Sequence, residues 1–209
     1  LYNMNKFISF EGIDGCGKTT QINLISKYLM DKDINNAIVR EPGNTRISES
    51  IREILLDNNN NISKITETLL FLSARSHLVK EVIKPEINEK IILCDRYLDS
   101  TTAYQGYGNE FNIDAIDEMN KFATDKLFPD LTIIFDIDPR TSFKRINNRS
   151  LDRMESKGLE YFEKVRNGYL QIANLNQDRC KVIDCNRKEI MSIFNEVKEL
   201  FKIYIIKEN

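Results

Sequence analysis

Short, continuous apolar runs alternate along this chain with longer stretches whose apolar residues recur every three or four positions. Phe7 to Phe10, Ala37 to Arg40, Lys90 to Cys94, Leu131 to Ile137 and Lys181 to Asp184 read as strands. Such runs are typical of strands buried on both faces. Helical spacing covers Gln21 to Met30, Ile47 to Leu56, Ile65 to Ile87, Ile113 to Phe128, Leu159 to Leu175 and Lys188 to Ile205. Pro85 is placed to bend or stop the third of these, Pro129 stops the fourth, and Pro139 can open a further helix at its first turn. The polar run Asp57 to Asn61 reads as a solvated loop. Strands alternating with helices, without repeats or linkers, predict one α/β domain over residues 1–209. Its five-stranded parallel sheet carries helices on both faces, and ligands belong at the carboxyl ends of the strands. Leu1 to Asn3, ahead of Met4, are read as a cloning remnant.

One stretch changes this picture from a fold to a chemistry. After the first strand come Gly12, Gly17, Lys18 and Thr19 at the spacing G-x-x-x-x-G-K-[ST], followed by a helical pattern. Glycines allow successive backbone N–H groups to turn inward around phosphates; Lys18 can reach the β and γ oxygens, and the Thr19 hydroxyl can sit on Mg²⁺. The helix that follows adds a positive dipole end. The loop Gly12, Gly15, Cys16, Gly17, Lys18, Thr19 and Thr20 is therefore expected to bind a nucleoside triphosphate.

Charge and composition narrow the rest. Thirty Lys and Arg against 32 Asp and Glu leave no basic excess for coating nucleic acid. No apolar run approaches the roughly 18 residues a membrane span needs. The four cysteines show no C-x-x-C spacing and read as reduced thiols of a cytoplasmic enzyme. Asp14, Glu41, Asp95 and Asp136 fall at or near strand ends, which converge on one crevice. Asp95 is the candidate carboxylate near Mg²⁺, directly or through water, with helix capping as its alternative. For Asp136 capping is the preferred reading, and His77 reads as structural.

Beyond the phosphate loop the chain shows, in order, REPGNT, FLSARSHLVKEVIKP, DRYLDSTTAYQG, FPDLTIIFDIDP and LDRMES. With FEGIDGCGKTTQ these resemble the bacterial thymidylate kinases, P-loop kinases with a short lid, from Phe7 to about Asp184. The resemblance implies transfer of the γ-phosphoryl of ATP to dTMP, with Mg²⁺, in a homodimer. It implies that Phe71 lies against the base and that Arg75, one helical turn on, meets it; the Arg75 donor suits the O4 carbonyl of thymine. Ser100, Thr101, Tyr104 and Gln105 match the rest of the thymidine pocket, Gln105 with both a donor and an acceptor to offer and Tyr104 crowding the sugar's 2′ position. Arg52 and Arg96 match the grip on the acceptor phosphate, and Asp14 the contact to the 3′-hydroxyl. Glu41 and Pro42 match a turn beside the acceptor, although Asn44 replaces the family's second glycine. Where some relatives carry a P-loop arginine this chain has Gly15 and Cys16, so the transferring arginine is expected in the lid, about 145–157. Arg149 is the first candidate and Arg153 the second; Arg145 covers the adenine together with the turn Cys185 to Arg187. The expected catalytic set is thus Lys18, Arg96, Arg149 and Arg153. Another nucleoside monophosphate as acceptor stays open as the alternative. A GTP-type switch would need N-K-x-D, and Asn120-Lys121-Phe122-Ala123 fails at its fourth position.

Overall fold

The structure is a computed structural model describing residues 6–146 and 150–206. Its strands are β1 (Phe7–Glu11), β2 (Asn36–Arg40), β3 (Ile91–Asp95), β4 (Leu131–Asp136) and β5 (Cys180–Asp184). They form one parallel sheet in the order β2-β3-β1-β4-β5. The helices are α1 (Lys18–Met30), α2 (Arg46–Leu56), α3 (Lys64–Leu78), α4 (Lys84–Glu86), α5 (Leu98–Thr101), α6 (Ile113–Thr124), α7 (Pro139–Ile146), α8 (Leu159–Leu175) and α9 (Ile190–Phe201). The period-two alternation of the strands splits the apolar core in two. Ile8, Phe10, Ile91 and Leu93 pack with α1, α8 and α9, whereas Phe7, Ile92 and Cys94 pack with Leu78, Val79 and Ile83 on the other face. Burial on both faces holds for the three inner strands. The outer strands depart from it, with Ile38 41% and Val182 43% exposed, because no strand among the described residues pairs with their far edges.

Three local differences from the sequence pattern have physical causes. The long third helix does not run uniformly. A wide π turn over Val79–Ile83 joins α3 to α4 immediately before Pro85, whose ring nitrogen cannot donate to the preceding turn. Helix α6 stops at Thr124, four residues before Phe128, since Asp125 and Lys126 adopt left-handed backbone at φ 50° and 57°. At the start of α7 the cap is Asp138, whose Oδ1 accepts from the amides of Arg140 and Thr141, while Asp136 is held in both oxygens by Arg166 at 2.6 and 2.8 Å. Capping by Asp136 is thereby corrected.

The helical segment Leu98–Gly108, α5 continued by a π turn over Thr102–Gly108, carries no apolar periodicity. Its inward positions are instead polar and internally bonded. It lies directly against α8 through two close approaches. A Cβ on Gly168 would sit 2.8 Å from Tyr107, and one on Gly108 2.7 Å from the Tyr161 ring. Gly168 is helical, so only space is at issue there. Gly168→Ala is expected to lower stability by about 1–3 kcal/mol, read as a lower urea midpoint with an unchanged slope; an unchanged midpoint would show that Tyr107 yields freely.

Candidate active site

The phosphate loop follows the central strand at the point where neighbouring strands diverge, β3 on one side and β4 on the other. Gly12 stands at φ 135°, and a Cβ there would meet the Phe135 carbonyl at 2.6 Å, so this position requires glycine. Ser142 of α7 donates to the Asp14 carbonyl, and Arg145 reaches the Gly15 carbonyl at 3.0 Å, which braces the loop from above. Lys18 is buried, with Nζ 2.8 Å from Gly12 O and 3.2 Å from Ile13 O. Cys16 lies beneath, its Sγ 3.7 Å from the same Nζ. Gly15, Gly17, Lys18, Thr19 and Thr20 face a cleft of about 450 Å³ that also takes in Asp95 and Arg96.

The Thr19 hydroxyl donates to Asp95 Oδ2 at 3.0 Å. Two hard oxygen donors at the mouth of a phosphate cleft fit Mg²⁺, which keeps several waters and takes further oxygens from phosphates. Among the described residues no group of three or more His, Cys, Asp or Glu could hold a metal by itself.

Beside this cleft opens a second pocket. Asp14, Glu41, Pro42, Arg52, Phe71, Arg75, Arg96, Ser100, Thr101, Tyr104 and Gln105 all line it, joined by Leu56, Asp152 and Met154. Asp14, Glu41, Arg52 and Arg96 border both spaces. Arg96 adopts φ 71°, a left-handed backbone that costs a non-glycine residue about 1–3 kcal/mol. Its Nη2 binds Asp14 at 2.7 Å, its Nη1 reaches Gly12 O at 2.9 Å, and its guanidinium lies 5.1 Å from the Tyr104 ring centre. Burial, then Arg40, pushes the Arg52 guanidinium below its ordinary value, and Arg96 adds to the crowding. Cations gathered this way favour an anion between them.

The wall of this second pocket is more committed than the sequence implied. Arg75, only 2% exposed, gives Nε to Glu41 at 2.7 Å, Nη1 to Thr101 and Asn120 at 2.8 Å each, and Nη2 to Tyr97 O at 2.9 Å. Four of its five N–H bonds are spent on the protein, which leaves one on Nη2. Gln105 likewise gives its Nε2 to Glu67 at 3.1 Å. Burial raises Glu41 to about 7 despite Arg75 pulling it down, and its Oε1 has no partner among the described residues. The Asn44 turn forms: at φ 64° its Oδ1 accepts from the Arg40 amide, so asparagine supplies both the left-handed backbone and a closing hydrogen bond.

One lid assignment changes. Arg153 is not brought to either space. Its Nη1 pairs with Glu67 at 2.8 Å and its Nε with Leu55 O at 2.7 Å, because a buried carboxylate draws it to α3. Arg149 lies outside the described residues. Two residues that sequence reasoning passed over, Glu11 and Glu67, are buried carboxylates with four partners each. Glu11 accepts from Ser9, Tyr97 N, Ser100 and Tyr169 at 2.6–3.0 Å, and burial, then Asp99, raises its pKa. A carboxylate closing an otherwise apolar strand was its signal. For Glu67 the signal was its place four residues before Phe71 and eight before Arg75, on one helix face.

Fold and site together define a P-loop phosphotransferase with a second pocket beside its phosphate-loop cleft. Comparison with known proteins agrees. The thymidylate kinase family model matches residues 10–197. The thymidylate kinase of Thermoanaerobacter sp. strain X514 is 44% identical over 201 residues, 96% of this chain and 98% of its own length. That of Thermosipho africanus is 44% identical over 200 residues, 95% and 98% of the two chains. The crystal structure of thymidylate kinase from Ehrlichia chaffeensis superposes with a TM-score of 0.78 at 35% identity, covering 95% of this chain and 99% of that one. This chain belongs to the thymidylate kinase family.

The raised Glu41 has a sign that can be checked. Between its unfolded value of 4.5 and about 7, the folded chain retains a proton that the unfolded chain has lost. Its contribution to stability therefore falls as pH rises through that window. Glu41→Gln should flatten the decline of Tm between pH 5 and 8 relative to the parent. An identical pH slope in both proteins would contradict the burial effect.

Proposed function

We propose that this enzyme transfers the γ-phosphoryl group of ATP to dTMP, giving dTDP and ADP, in the supply of dTTP. The observation that carries this reading is the shared border. Asp14, Glu41, Arg52 and Arg96 line both the triphosphate cleft and the acceptor pocket, so phosphates bound in the two would lie against the same side chains. Such transfer needs alignment and charge neutralisation rather than a covalent intermediate.

Each group then has a task. Lys18 and the loop amides neutralise the β and γ oxygens, and Thr19 and Asp95 would hold Mg²⁺, which supplies further positive charge on the phosphates when bound. Arg96, fixed by Asp14, and Arg52 grip the acceptor phosphate, where a guanidinium can offer two parallel hydrogen bonds. Asp14 receives the 3′-hydroxyl, Phe71 stacks on the base, and the remaining Arg75 N–H meets the thymine O4. Tyr104 closes the 2′ side of the sugar. Arg145, at the Gly15 carbonyl, covers the adenine with the turn Cys185 to Arg187, and Arg149 is the lid arginine for transfer. A cytoplasmic setting agrees with four buried free thiols; no helix among the described residues is long and apolar enough to cross a membrane.

The enzyme is read as a homodimer. Support comes from α3 and α6, which leave Leu69 51% and Phe122 91% exposed along a groove that includes His77. With Leu72, Met119 and Ala123 in the same groove these form a contiguous apolar patch, the kind that marks a contact surface. Phe122→Glu should convert a dimer to a monomer in light scattering after size exclusion; a parent that is already monomeric would end this reading.

The activity test is ADP release from ATP and Mg²⁺ with dTMP, dUMP, dCMP, UMP, AMP, dGMP or no acceptor. dTMP should be turned over best. dUMP, lacking only a methyl group, should follow with a kcat/KM lower by ~10–200-fold. Equal turnover of several acceptors would reject dTMP as the specific substrate. In the same assay Lys18→Ala should lower kcat by ~100-fold or more while Tm stays nearly unchanged; a fully active variant would remove Lys18 from the mechanism.

A further inference from the structure

We infer that Glu67 is a positioning residue that makes the acceptor pocket selective for a base carrying an N3–H, by fixing which end of the Gln105 amide faces the substrate. The inference rests on the dTMP reading above. Glu67 is 1% exposed and lies outside the pocket lining. Its Oε1 accepts from Gln105 Nε2 at 3.1 Å, Asn109 Nδ2 at 3.3 Å and Lys157 Nζ at 2.7 Å, while Oε2 accepts from Arg153 at 2.8 Å.

The orientation of the Gln105 amide follows from chemistry. An ionised carboxylate only accepts hydrogen bonds, so the turned-over amide would set one oxygen against another with no hydrogen between them. Burial opposes the charge on Glu67, but Lys157 and its other partners outweigh it and hold the carboxyl below its ordinary value, so it stays an acceptor at neutral pH. With one N–H held by Glu67 the Gln105 amide is fixed in orientation, and its carbonyl oxygen is left to offer the pocket that it lines. Thymine and uracil present a donor at N3; cytosine presents a lone pair there and would face that carbonyl repulsively. Arg75 makes the same distinction through its last N–H, which suits a carbonyl at position 4 but not an amino group. Two groups thus read adjacent atoms of one base edge, and neither reads the 5-methyl group.

Glu67 also draws the lid's second half onto this wall. Arg153 and Lys157 both terminate on it, and the segment between them carries Met154, which lines the pocket together with Asp152. The carboxylate that orients the base reader therefore also seats the pocket's outer rim.

The test uses the full chain and measures Kd for dTMP, dUMP and dCMP by calorimetry, with steady-state kinetics on dTMP. In Glu67→Gln the new side chain can accept or donate, so Gln105 is free to turn over. The preference for dTMP over dCMP should fall by at least ~10-fold, the ratio of dTMP to dUMP should stay unchanged, and the loss on dTMP should fall mainly on KM rather than kcat. A merely loosened pocket would move both ratios together and overturn the inference, as would an unchanged preference over dCMP. Gln105→Leu leaves Glu67 paired with Lys157 and Arg153; it should lose the same discrimination, and its retention there would overturn the role even if the Glu67 variant did not fold. A parent protein that neither binds nor phosphorylates dTMP would remove the dTMP reading and this role together. A parent active on dTMP with both variants still discriminating removes this role alone.

Discussion

A single buried carboxylate, Glu11, organises the site. It ends the central strand with no exposure to water, where an unsatisfied charge would be costly. Its partners come from three directions: the Tyr97 amide in the turn after β3, the Ser100 hydroxyl of α5 and the Tyr169 hydroxyl of α8. Because these donors must converge on one side chain, the turn that carries Arg96 and the helix that carries Thr101 are fixed relative to the phosphate loop. The left-handed backbone at Arg96 is affordable only inside such a frame.

Around that frame the site is built from opposed charges at close range. Asp14 sits in the phosphate loop yet is held by Arg96, and Glu41 is buried yet held by Arg75. Breaking either pair would leave a poorly solvated charge, so each partner is constrained in position as well as in sign. The guanidinium of Arg52 has Arg40 and Arg96 beside it, each already paired with a carboxylate, Glu49 and Asp14. The second pocket thus runs from a buried, fully paired wall at Arg75 to a group of three guanidiniums where it meets the phosphate-loop cleft.

Much of this was legible in the sequence. The five strands, their alternation with helices and the phosphate loop follow from local pattern, since a buried parallel strand and a glycine-rich turn each have a composition that little else imitates. That eleven residues would line one pocket was legible only by resemblance, because they come from five separate segments that no local rule brings together. Commitments between side chains were hidden. Nothing in the sequence says that Arg153 turns to Glu67 rather than to a phosphate, or that Glu67 already fixes which way the Gln105 amide faces. The segment Leu98–Gly108 escaped as a helix for a related reason: its buried face is polar, so hydrophobic periodicity, the usual sign of a helix, is missing where the site is densest.

The sheet order has a consequence for how the chain reaches this state. Strand β1 is made first, yet both its neighbours, β3 and β4, come much later in the chain. During synthesis Phe7, Ile8 and Phe10 have no strand partner until residues 91–95 and then 131–136 have emerged, a delay on the order of ten seconds at ribosomal speeds. The segment that will bind the triphosphate thus spends its early life as an unpaired apolar strand, the kind of edge that invites pairing with another chain. A strand open to mispairing during synthesis is thus the same one that leads into the phosphate loop.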